Sequence, residues 1–159
     1  MSEVRVRQAL SEDCDAVAAM VQRLAALFGV RSGTTGAILR HEAFGLRPTI
    51  EILVAEAEGK LVGYLVHQDT FSTYRGANGL FVVDLFVEPD RRNDRLGQRL
   101  MAAAARAAQA KGARFIRLDL DASNEAGGRF YARMGFRTLE HDRFLVLDEP
   151  ELARLRDGG

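Results

Sequence analysis

Four arginines, Arg91, Arg92, Arg95 and Arg99, crowd the point where the apolar run ending in Asp84-Leu85-Phe86-Val87 turns into an alanine-rich segment. A helix N-terminus already carries roughly half a positive charge, and a cation there costs about 0.3–1 kcal/mol. The arrangement makes chemical sense with an anion docked on it, because unused N–H groups and basic side chains at a helix start form a phosphate site. Residues 92–98 are the candidate phosphate cradle. Asp84 is the one charge in the run 80–87. A carboxylate there is either paired structurally or functional, holding an amine or relaying a proton. Tyr131 reads either as a boundary residue with its ring in the core or as a general acid, since a phenol with a pKa of about 10 is protonated at neutral pH.

Other residue types carry less. His67 and His141 have no second metal-type ligand at useful spacing, so no metal site is expected, and His67 is a base only in second place to Asp84. Gly127 and Gly128 each cost about 1 kcal/mol against alanine inside a helix. They mark either a short, frayed helix or the close approach of a ligand beside Asn124. Phe44, Phe71 and Tyr74 are either loop packing under a sheet edge or the lining of a pocket.

The elements that must position these residues follow from periodicity. Val4 to Gln8 alternates as a strand, and Ser11-Glu12-Asp13 opens a helix carrying Val17, Met20, Val21, Leu24 and Leu27. A second helix starts after Thr34 or Thr35. Ile50–Ala57 and Leu61–Gln68 form a hairpin around Glu58-Gly59-Lys60. A loop runs from Asp69 to Asn78, and Leu80 to Val87 is a strand covered on both faces, with Asp84 on the face of Val82 and Phe86. The residue types offer Asp94 as a cap for the next helix, about Arg95 to Lys111, which Gly112 stops. Phe115 to Leu120 is a strand and Asn124 to Met134 a helix ended by Gly135. Phe136–Leu139 and Phe144–Leu147 make a last strand pair, and 149–159 is a polar tail of about one helical turn. The fold class is α/β (α+β): a mixed sheet of about seven strands flanked by about four helices.

The 159 residues suit one domain, 1–159. Zero net charge argues against broad nucleic-acid binding, which rests on a basic field. No run reaches the ~18 apolar residues of a membrane span. One cysteine, Cys14, fits a reducing compartment and reads as a core residue, and Met1–Arg7 lacks the apolar region of a signal peptide, so the expected location is the cytoplasm.

The element order, with Arg92-Asn93-Asp94-Arg95-Leu96-Gly97 at a helix head and Asn124, Gly127, Phe130-Tyr131 and Gly135-Phe136 later, resembles the GNAT superfamily of acyl-CoA-dependent N-acetyltransferases. The resemblance implies acetyl-CoA as cosubstrate, its pyrophosphate held by main-chain N–H groups of Arg92, Asn93, Asp94, Arg95, Leu96, Gly97 and Gln98. It implies a pantetheine arm along Leu85, Phe86 and Val87, an oxyanion donor in the Val87 N–H, and further cofactor contacts from Asn124, Gly127 and Tyr131. Tyr131 then protonates the departing CoA thiolate, and Asp84, through water, is the candidate base. Arg95 stands where the family's loop carries its first glycine. Gly63-Tyr64, Phe71, Tyr74 and Asp84-Leu85-Phe86-Val87 look most like the diamine and polyamine acetyltransferase branch, with Val83 where that branch commonly has glutamate. The implied partner is a small primary amine, diamine-like or amino-acid-like, and a homodimer is consistent with the resemblance. Acetylation of a peptide or protein, or a non-catalytic acyl-CoA-binding module, are the alternatives.

Overall fold

In the computed structural model, residues 3–158 are described, apart from the Asn93 side chain. The chain divides into two compact units, Met1–Asp119 and Leu120–Gly159.

The first unit is built on a five-stranded sheet in sequential order: β1 (Val4–Gln8), β2 (Glu51–Ala57), β3 (Lys60–Ser72), β4 (Ala77–Val87) and β5 (Ile116–Leu118). The first four strands are antiparallel neighbours. β5 pairs parallel to β4, and only over Leu80–Val82. A parallel neighbour needs a crossover, which α3 (Leu96–Ala110) supplies. On one face lie α1 (Cys14–Leu27) and α2 (Gly36–Phe44). Cys14, Val17, Met20 and Leu39 pack there against Ile52, Val54, Tyr64, Val66 and Phe86. On the other face α3 buries Leu96, Leu100 and Ala104 completely. Full burial of each leucine contributes about 1.5–3 kcal/mol.

Local chemistry accounts for the turns and caps. The β2–β3 turn holds Glu58 and Gly59 at φ 51° and 71°, the positive pair that a two-residue turn of matching twist requires. Thr35 caps α2, its hydroxyl accepting from the Ile38 N–H at 3.2 Å. Cys14 is fully buried and its thiol is pushed up by burial.

Four expectations are corrected. The loop 69–78 is mostly strand: Asp69 pairs with Leu80 and Ser72 with Ala77, leaving a turn at 73–76. Gly79 permits this, because any side chain there would run into the Phe115 ring. Phe71 and Tyr74 consequently stand exposed at the hairpin tip, packed under nothing. The strand pair at 136–139 and 144–147 is absent from the described residues. Its unit contains helices but no sheet, and a two-stranded hairpin alone is marginal in water. The tail is a helix, α5 (Glu149–Arg156), with Glu149 and Glu151 in its first turn and Arg154 and Arg156 in its last, a charge order that suits the helix dipole. The described chain therefore has five strands and five α-helices where about seven and about four were expected.

Register supplies the fourth correction. Val66 lies opposite Asp84, but its neighbour His67 lies opposite Val82, so Val83 is an extra residue bulging from β4. Consecutive residues of a strand face opposite ways. Asp84 therefore shares the α1–α2 face with Val66, Tyr64 and Phe86, whereas Val82 turns with His67 to the face of α3. The continuous apolar run hides this switch from any reading of alternation.

In the second unit, α4 (Glu125–Arg133) is capped by Asn124, whose side-chain oxygen accepts from the Gly127 N–H at 2.9 Å. A side chain on Gly127 would stand 2.6 Å from the Asn124 amide nitrogen. Glycine at 127 is thus explained by the cap. Gly128 meets only the side chain of Leu120, at ordinary contact distance.

Candidate active site

Residues 92–98, the candidate cradle, lie where the chain leaves β4 and enters α3. A 3₁₀ segment, Pro89–Asp94, leads into α3 through Arg95, which takes the left-handed conformation at φ 55°, ψ 25°. The earliest α3 hydrogen bond to that junction runs from the Arg99 N–H to the Arg95 carbonyl. The N–H groups of Leu96, Gly97 and Gln98 precede it and are not used by the helix ladder. Asp94 is not the cap: the N-cap residue is Arg95, with no side-chain cap bond, and Asp94 pairs with Arg91 at 3.9 Å. Among the described residues, the N-cap position supplies no side-chain hydrogen bond to the helix start.

The arginines divide their work. Arg92 Nε donates to the Val87 carbonyl at 3.4 Å and ties the cradle to the strand end. Arg99 donates to the Val4 carbonyl at 2.6 Å. Arg95 is exposed at the helix start. Left-handed backbone favours glycine because it has no Cβ to crowd the carbonyl; here arginine accepts that strain.

The strand leading toward residues 92–98 has no strand partner on one edge among the described residues. β4 pairs with β5 as far as Val82, and from Asp84 to Val87 it pairs with β3 alone. The Glu88 N–H donates to the Val62 carbonyl on the β3 side at 2.9 Å. Successive N–H groups of a strand point to opposite edges. Those of Val87 and Leu85 therefore point away from β3, toward the edge β5 does not cover.

Asp84 sits half-buried on the α1–α2 face of this segment. Burial raises its carboxyl above the usual carboxylate range, and a hydrogen bond from the Tyr64 hydroxyl, at 3.5 Å, pulls the other way. Tyr64 is fully buried; burial, then the charge of Asp84, pushes its hydroxyl far above the ordinary phenol value. From α1, Arg23 forms an ion pair with Glu88 and lies 6.0 Å from the Phe86 ring centre.

In the second unit, Tyr131 stacks edge-on between Phe130 and Phe136, with ring centres 5.1 and 5.4 Å apart. Asn124 and Gly127 are committed to each other at the start of the same helix. The structure thus brings Asp84, Leu85, Phe86, Val87 and 92–98 together in the first unit. It places Asn124, Gly127 and Tyr131 on one helix of the second. Among the described residues, no group of three or more His, Cys, Asp or Glu is placed to hold a metal, and no helix is long and apolar enough to cross a membrane. His67 is no accessible base. It is 1% exposed, on the α3 side of the sheet, and burial lowers its pKa. Arg23 and Glu88 were missed by sequence reasoning, and no local signal links positions 65 residues apart.

Comparison with known proteins meets this geometry. Residues 17–136 match the profile of the Acetyltransferase (GNAT) family. The chain belongs to that family. It is an acyl-CoA-dependent N-acetyltransferase. The acetyltransferase is 29% identical over 149 residues to the thialysine N-epsilon-acetyltransferase of Sus scrofa, covering 87% of each chain. It is 30% identical over 138 residues to an uncharacterized N-acetyltransferase, YhfO, of Bacillus subtilis (strain 168), covering 84% of this chain and 89% of that one. In fold, the acetyltransferase resembles an integron cassette protein of V. cholerae, with TM-score 0.81 at 16% identity over 98% of both chains. It also resembles an aminoglycoside N-acetyltransferase solved with CoA, with TM-score 0.74 at 18% identity over 94% of this chain and 96% of that chain.

Proposed function

We propose that this acetyltransferase moves the acetyl group of acetyl-CoA directly onto the primary amine of a small molecule. The observation that carries the reading is the β4 edge that β5 does not pair: N–H groups of Leu85 and Val87 point off that edge, and the strand leads through the 3₁₀ segment Pro89–Asp94 to a helix start with no side-chain cap among the described residues. An extended amide-bearing arm suits the first feature, and a pyrophosphate suits the second.

In this reading Leu85, Phe86 and Val87 carry the pantetheine arm, and the main chain from Arg92 to Gln98 carries the phosphates, with Arg95 adding charge. The Val87 N–H is the donor placed for the oxygen of the tetrahedral intermediate. The acceptor amine must be neutral to attack. Asp84, through water, takes its proton as the C–N bond forms. The C–S bond then breaks, and the Tyr131 phenol protonates the leaving thiolate. Positioning supplies most of the rate gain, because thioester and amine are already a reactive pair.

The relatives named for thialysine support a small amine acceptor. The buried free thiol of Cys14 favours a cytoplasmic setting. The exposed run Phe144-Leu145-Val146-Leu147 favours a homodimer, which sedimentation would test. The cosubstrate assignment is tested by thermal unfolding with acetyl-CoA, CoA and ATP. Ligand at about 100 times its dissociation constant adds roughly 2.7 kcal/mol of stability. Shifts with acetyl-CoA and CoA but not ATP are expected; equal shifts with all three, or none, would reject it.

A further inference from the structure

His67 stands fully buried on the central strand of the sheet, on its α3 side, and among the described residues neither ring nitrogen has a hydrogen-bond partner. A buried polar ring without partners is costly, and the transfer chemistry above makes no use of it. Three charged groups act on the ring. Glu51 is its direct partner across β2, so the two side chains share a face with Cβ atoms about 5 Å apart. Asp69 lies two residues along β3, on the same face. Lys111, which follows α3, reaches both carboxylates: it pairs with Glu51 and lies 3.5 Å from Asp69. On β4 the residue opposite His67 is the apolar Val82. Burial opposes the charged ring most; Glu51 favours it, Lys111 opposes it and Asp69 favours it.

Lys111 is also where the helix ends. The N–H groups of Lys111 and Ala113 both donate to the Ala108 carbonyl at 3.0 Å, and that of Gly112 to the Gln109 carbonyl at 2.9 Å. The Lys111 bridge therefore ties the last turn of α3 to β2 and β3. Its two acceptors are the carboxylates that would also receive a proton-bearing His67.

We propose that the Lys111–Glu51–Asp69 bridge is a latch opened by a proton on His67. With the ring neutral, both carboxylates hold Lys111 and the end of α3 is closed. With the ring protonated, Glu51 turns across the strand pair to accept its N–H, and Lys111, an exposed ammonium on a flexible stem, goes to water. The exchange gives a buried ring nitrogen the partner it lacks and frees the last turn of α3, while the β2–β3 ladder stays paired. Burial and Lys111 both stand against the proton, so opening belongs below about pH 6.5. The helix that begins beside residues 92–98 thereby has a pH-dependent hold at its other end, whichever amine accepts the acetyl group.

The test follows the His67 ring and the amides of residues 111–113 by NMR as the native protein is taken from pH 7 to 5. Ring and amides should shift together in one transition. Exchange of the 111–113 amides should be equal in wild type and His67→Leu at pH 7, and roughly 10-fold faster in wild type at pH 5, a comparison at equal pH that cancels the intrinsic dependence of exchange. Lys111→Met keeps a stem of similar length and removes the competing cation, so the midpoint of the ring should rise by about one pH unit. A ring that titrates while 111–113 stay still, equal exchange in wild type and His67→Leu at pH 5, a ring that takes no proton before the sheet unfolds, or a midpoint unmoved in Lys111→Met would each overturn the proposal. Lys111→Met, changed at an exposed position, carries the test alone should His67→Leu fail to fold.

Discussion

Replacing Arg95 separates two effects that coincide at one residue, a strained backbone and a cation beside an open helix start. The left-handed conformation at φ 55° costs a residue with a Cβ about 1–2 kcal/mol relative to right-handed backbone, and glycine almost nothing. Arg95→Ala keeps the Cβ and removes the charge. Stability should stay within about 0.5 kcal/mol, since exposed charges contribute little. Arg95→Gly also removes the strain, but it loosens the unfolded chain by about 0.4–1 kcal/mol. The glycine variant should therefore be more stable than the alanine variant by up to about 1.5 kcal/mol, or roughly 3–6 °C in Tm. Acetyl-CoA affinity should fall in both, by about 10-fold at low salt for one charge-assisted contact. The deficit should shrink as salt screens the wild type. Titration calorimetry at two salt concentrations, beside thermal melts, reads both effects. Alanine binding as tightly as arginine would refute the cation's role. A glycine variant less stable than the alanine variant would refute the strained junction.

Three other outcomes follow from the structure. Tyr64→Phe keeps the ring in the core and removes the hydroxyl that holds the Asp84 carboxyl down; the acidic limb of the kcat/KM profile should move to higher pH, and a limb that stays in place would detach Asp84 from the proton transfer. Tyr131→Phe should lower turnover by about 10²-fold or more with acetyl-CoA affinity unchanged, and unchanged turnover would remove Tyr131 from the mechanism. His67 is buried with neither ring nitrogen hydrogen-bonded. Burial lowers its pKa despite Glu51 and Asp69 nearby, and Lys111 acts in the same direction as burial. Above about pH 6.5 it is neutral folded or unfolded. Below that the unfolded chain takes up the proton first, so stability should drop as pH falls. The part of that slope due to His67 should be lost in His67→Leu, measured by denaturant unfolding of both proteins from pH 7 to 5.

What was legible in the sequence was short-range chemistry. Glycine at 59 and 112, Thr35 before its helix, and the passage from apolar strand to arginine-rich helix start each announce themselves within a few residues. The end of the strand at 85–87 and the helix start that follows it are read this way. The bulge at Val83 was not, because a strand apolar on both faces gives no alternation to break. The long β3–β4 hairpin was hidden by polar and aromatic residues that read as loop, and its pairing depends on Phe115 fitting over Gly79, a contact distant in sequence. Capping by Asp94 was a sound local expectation, overturned when the turn gave the N-cap position to Arg95. Arg23 over Phe86 depends on packing α1 against β4, which no window of sequence contains.

The most direct test of acetyl transfer is to mix the purified protein with acetyl-CoA, add thialysine, and follow free thiol while mass spectrometry watches the amine. Thiol release that requires the amine, matched mole for mole by its N-acetylated product, is the expected result. Full protection of the protein by acetyl-CoA with no product from thialysine or any other small primary amine would contradict it.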